Sequence, residues 1–161
     1  MTGLSKLLAH MLAAGGPREQ LARVRWPLHL ALREMCERAG RRGELQILDF
    51  PITFRASPDV GIAAIGADAA LDELVRAGVL TPRGRTRSAI LAVDDAAAIA
   101  IRRELMTLPA EQVRLLQRAG ERWAALASTA AKNRSTAARS AASTVTSSTP
   151  KRAKRSLVGI A

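Results

Sequence analysis

The stretch at residues 71–93, "LDELVRAGVLTPRGRTRSAILAV", decides how this chain is read. Leu71, Leu74 and Val75 recur at helical spacing, and Gly78 can close a helix. Two apolar runs then flank Pro82, Gly84 and three arginines. The pattern predicts a helix followed by a β-hairpin, with arms at 79–80 and 89–93 and the turn "TPRGRTRS" between them. Arg83, Arg85 and Arg87 alternate around Gly84, so two or three guanidinium groups can project to one side and donate paired hydrogen bonds to phosphate. The competing reading is a solvated turn in an arginine-rich chain.

Working upstream, Asp68 is a candidate cap for that helix, and residues 57–66 read as a short helix or an ordered loop. Between Glu44 and Arg55, Leu45, Ile47, Phe50, Ile52 and Phe54 alternate as in a half-buried strand, with Pro51 assigning it to an edge or a bulge. Leu28, Leu32, Met35, Cys36 and Ala39 line a helix that Gly40 stops. Pro27 is expected to break or kink the chain and open that helix. At the start, Leu4, Leu7, Leu8, Met11 and Leu12 mark one face of an amphipathic helix ending near Gly15 and Gly16, a folded element rather than a signal peptide.

Downstream, Asp94 and Asp95 suit the start of a helix that reaches about Met106. Pro109 opens another, with Glu111 in its first turn. On this last helix Val113, Leu116, Gly120, Trp123 and Ala127 form an apolar face that fits either an intramolecular core or a dimer seam. From Ser128 the composition turns to Ala, Ser, Thr, Lys and Arg with little to bury, which predicts a disordered tail. The organisation expected is therefore a helical domain over 1–93, a helical hairpin or dimerisation element over 94–127, and a basic tail over 128–161.

The charge is uneven. The chain of 161 residues carries +11; residues 1–127 hold 18 Lys and Arg against all 14 Asp and Glu, whereas residues 128–161 hold 7 cations and no acid. An acid-free cationic end points to a polyanionic partner, nucleic acid before an anionic membrane face. A lone Cys36 excludes an internal disulfide and fits a reducing compartment, and no apolar run approaches a membrane span. Arginine in place of lysine, with abundant alanine, is the composition of a GC-rich, bacterial genome. Catalytic chemistry finds no support. His10 and His29 sit in apolar helical contexts without a Cys or carboxylate at metal-ligand spacing, and no glycine-rich phosphate loop has the required spacing. No enzyme activity, cofactor or metal is expected.

The order helix, helix, strand, helix, hairpin resembles the winged-helix class of DNA-binding domains over residues 28–93. The third helix and its exit would be "ALDELVRAGVL", and the wing "TPRGRTRSAILAV". The resemblance implies a mostly α fold with a small β-hairpin, a third helix in the major groove and a wing along the phosphate backbone. Arg76 is then the groove-facing cation, Arg83, Arg85 and Arg87 the wing contacts, and Lys151, Arg152, Lys154 and Arg155 the main tail cluster. The exposed positions expected on that helix, Asp68, Ala69, Asp72, Glu73 and Arg76, include three acids, so base reading is weak by expectation. The tail itself is weakly similar to linker-histone tails. The function expected is binding of double-stranded DNA in the cytoplasm, at the nucleoid, as a regulator or nucleoid-associated factor. The alternative is a winged-helix adaptor that holds protein partners, or a second copy of itself, through the helix at 109–127.

Overall fold

Eight of the twelve residues of α1 (Gly3–Ala14) are buried, including Ser5, Ala9 and His10 off the leucine face, so this helix is enclosed on nearly every side. A helix apolar all round is a central helix. The computed structural model describes residues 2–16, 25–42, 51–83 and 90–145. Within them the chain is mostly helical, with two small antiparallel hairpins.

Helix α1 is capped by Thr2, whose side chain accepts from the Ser5 amide. Around it stand α2 (Arg25–Arg41), α3 (Ala67–Arg76), α4 (Asp95–Leu105) and α5 (Ala110–Val145). Leu8, Met11 and Leu12 of α1 share one apolar cluster with Leu28 and Leu32 of α2, Leu74 of α3, Ile101 and Leu105 of α4, and Leu116 and Trp123 of α5. The expected dimer-seam residues Leu116 and Trp123 are thus buried in the chain's own core. Residues Met1–Ala131 form one compact unit and Lys132–Ala161 a second.

Several sequence expectations meet a different local outcome. Helix α2 begins at Arg25 and passes through Pro27 without a break, because Pro27 falls in the first turn, where a backbone N–H has no intrahelical acceptor. It also runs one residue past Gly40. The 57–66 segment is neither helix nor plain loop: β1 (Phe54–Ser57) pairs with β2 (Gly61–Ala64) in an antiparallel hairpin, Phe54 opposite Ala64. Of the predicted strand over 44–55, residues 51–53 are irregular and Phe54 and Arg55 are strand, while 43–50 lie outside the described residues. Asp68 does not cap α3; Gly66 occupies that position with φ +82°. The largest difference is at the C-terminal end. Expected disorder from Ser128 gives way to helix as far as Val145. Alanine has the highest helix propensity, and here an alanine-rich segment extends a helix already nucleated by packing, so the costly first turn is not repeated.

Within residues 71–93 the helix and its exit at Gly78 fold as read, whereas the first arm runs on through Arg83 into residues expected in the turn, and 84–89 lie outside the described residues. Gly78, at φ +74°, closes α3 while Val79 N–H donates to Leu74 O at 2.9 Å and Gly78 N–H to Val75 O at 3.1 Å. This paired closure turns the chain directly into β3 (Leu80–Arg83), which runs antiparallel to β4 (Ile90–Val93) with Leu80 opposite Val93. Pro82 is tolerated because a two-stranded ribbon leaves each strand an open edge. Asp94 then caps α4, its carboxylate accepting from Ala97 N–H at 2.9 Å.

Helix α5 crosses the end of α1 at Gly120, where a Cβ would meet the Met11 carbonyl oxygen and the Gly16 nitrogen. Both obstacles are backbone and cannot rotate away. Gly120→Ala is therefore expected to destabilise the protein by about 1–3 kcal/mol, as overpacking does, despite alanine's better helix propensity. A urea titration followed by tryptophan fluorescence checks this: the midpoint falls. A raised midpoint would mean that the two helices do not approach so closely.

Candidate functional site

Of the expected contact residues, the described part of the chain locates one side chain. Arg76 is exposed in the last turn of α3. Arg83 is the final residue of β3, with its side chain outside the described part; Arg85, Arg87, Lys151, Arg152, Lys154 and Arg155 lie outside the described residues altogether.

Arg76 borders a groove of about 540 Å³ whose walls include Leu4, Ile52 and Ile65 and whose edge carries Thr2 and Glu73. Glu73 does not stand free on this face. Its carboxylate accepts from the Thr2 amide at 3.0 and 3.1 Å and from the Thr2 hydroxyl at 2.9 Å. Those bonds, led by the backbone amide, hold the carboxyl at about 2. The helix expected to face a groove of DNA thus uses one of its two central acids to fasten α1. Asp72 remains exposed, whereas Asp68 is half-buried and directed toward His29.

Both histidines acquire partners that spacing along the chain did not reveal. His29, buried in α2, accepts from the Ala64 amide at Nδ1 (3.0 Å), and its Nε2 lies 3.8 Å from Asp68 Oδ1. One ring therefore joins α2, β2 and α3. His10 Nε2 lies 3.4 Å from Glu104 Oε2 across α1 and α4. Each is one histidine facing one carboxylate, and the described residues hold no group of three or more His, Cys, Asp or Glu able to bind a metal. Burial raises the Cys36 thiol, which disfavours the reactive thiolate. No helix of the described residues is long and apolar enough to cross a membrane.

A second group of cations among the described residues lies away from this face. Arg38 and Arg41 of α2, Arg42 in the turn after it, and Arg118 and Arg122 of α5 line a groove of about 430 Å³. Its floor is Ala31, Met35, Leu115 and Ala119, all buried. Among the described residues that line it, Glu34 is the single acid. It receives a bidentate pair from Arg122, Nε at 2.8 Å and Nη2 at 2.9 Å, with Arg38 Nη2 at 3.8 Å. The Arg122 hydrogen bonds pull the Glu34 carboxyl down and push the guanidinium up. The signal was legible as Arg114, Arg118 and Arg122 at four-residue spacing, one stripe of α5. That α2 would supply the opposite wall was not.

The Glu73 contact gives a pH prediction. A carboxyl depressed in the folded state contributes stability that is fully present above its unfolded value, 4.5, and fades as pH falls through about 2. A carboxyl-carbon NMR titration is expected to place Glu73 near 2, and Thr2→Val is expected to move it upward; an ordinary midpoint in the wild type refutes the contact.

No family model matches the chain, and no curated protein or solved structure matches it either, so the chemistry of these surfaces rests on their own residues.

Proposed function

We propose that the protein binds double-stranded DNA through its phosphates with little base reading, as a nucleoid-associated factor or transcriptional regulator in the cytoplasm. The observation that carries this reading is the distribution of charge: seven cations and no acid from Ser128 to the last residue, following a unit that is itself cationic. The first part of that segment continues α5 as helix, and a cationic helix offers phosphate contacts at lower ordering cost than a coil. The turn between α3 and the β3–β4 ribbon supports a winged-helix mode, with Arg76 on the helix and Arg83, Arg85 and Arg87 at and beyond the end of β3. A hairpin rather than a single strand precedes α3, a departure from the class. The exposed Asp72, with Glu73 engaged by Thr2, supports weak base discrimination.

An adaptor role is favoured by a different observation, the apolar groove beside Arg76 with Ile65 half exposed on its wall. The two readings separate in salt-dependent titrations against random duplex DNA. Replacing Arg83, Arg85 and Arg87 with Ala is expected to leave the melting temperature nearly unchanged and to weaken duplex binding at least about tenfold. Truncation after Val145 removes Lys151, Arg152, Lys154 and Arg155 and is expected to make the slope of log affinity against log salt shallower by about two to three. Weak duplex affinity at physiological salt, unaltered by either change, moves the weight to the adaptor.

A further inference from the structure

We propose that the arginine groove between α2 and α5 is a binding site for a small phosphorylated anion carrying a di- or polyphosphate group. Five arginines against one glutamate give its lining, among the described residues, a net charge of +4. Part of that charge answers to the helix, because Arg38 and Arg41 stand in the last turn of α2, where the dipole favours cations. That explanation does not reach Arg42, beyond the helix, or Arg118, in the first part of α5 and far from its C-terminal end. Among the described residues no carboxylate forms an ion pair with Arg41, Arg42 or Arg118, while Arg122 is already held by Glu34. Like charges gathered around one concavity repel in its empty state, and an anion removes that repulsion.

The shape favours a compact ligand over a duplex. A volume near 430 Å³ falls in the range of small-molecule sites, and a concave wall formed by two helices encloses a ligand rather than lying along a convex helix. Ala31, Met35, Leu115 and Ala119 offer an apolar floor for an organic moiety, and the guanidinium forks supply bidentate donors at the rim for phosphoryl oxygens. Glu34 sets the geometry. By clamping Arg122 it fixes α2 against α5 and so keeps the walls apart at one width, at the cost of one negative charge beside the ligand.

Isothermal titration of the full chain with inorganic pyrophosphate at physiological salt tests this inference independently of the DNA reading. Saturable one-to-one binding is expected. The double variant Arg41→Ala, Arg42→Ala is expected to weaken it at least about tenfold through loss of two charge-assisted donors. The charge-matched control Arg102→Ala, Arg103→Ala, on the exposed end of α4, is expected to leave it within about twofold. Glu34→Gln is expected to tighten binding severalfold, since it removes the opposing charge while its amide oxygen can still accept from Arg122 and hold the wall in place. Equal losses in the two double variants would reduce the effect to net charge and overturn the site, as would absence of saturation. Displacement of pyrophosphate by random duplex DNA would make the backbone the source of the phosphoryl groups and overturn the small ligand. Loss of duplex binding in the Arg83, Arg85, Arg87 variant with pyrophosphate binding retained is the expected independence of the two sites.

Discussion

The contact of Gly120 with the end of α1 sets the geometry on which the rest depends. Because a Cβ at that position would meet the backbone at Met11 and Gly16, α5 comes closer to α1 than ordinary side chains allow. That proximity seats Trp123 and Leu116 in the common core, each buried. It also brings the polar flank of α5 alongside α2, where Arg122 and Glu34 form a bidentate pair. A small residue at a crossing thus determines the spacing of a charged groove on the helix's other side.

Helix α1 is the second constraint. With eight buried positions it must be covered by every neighbour, and its polar residues are satisfied by tertiary partners: Thr2 by Glu73, His10 by Glu104. These contacts draw acids of α3 and α4 into tertiary fastenings while leaving them partly exposed, as Glu34 of α2 does with Arg122.

Basic character is also divided by position. The α2–α5 groove is concave and built on packed helices, whereas the cations after Ser128 lie on a helix as far as Val145 and in the sequence that follows. Preorganised guanidinium groups discriminate among anions by geometry; cations strung along a chain provide affinity with strong salt dependence. One molecule can hold both because the first depends on tertiary packing and the second only on the charge pattern.

Elements with local causes were legible along the chain. Gly78 closes α3 because glycine tolerates a positive φ, Asp94 caps α4 through its own carboxylate, and two apolar runs on either side of a turn mark the β3–β4 ribbon. The heptad-like row of Val113, Leu116, Gly120 and Trp123 likewise announced a buried face of α5. Tertiary structure decided everything that turned on partners distant along the chain. Leu116 and Trp123 had the same appearance for a dimer seam as for a core, and only the approach of α1 selects the core. His29 found Ala64 and Asp68, and Glu73 found Thr2, across separations no spacing rule covers. The helical state of 128–145 belongs to a middle case: alanine permits it, but a helix nucleated elsewhere makes it form. Arg38, Arg41, Arg42, Arg118 and Arg122 were each visible as cations, yet a groove is a relation between two surfaces, and the packing of α5 on α1 is what brings those surfaces together.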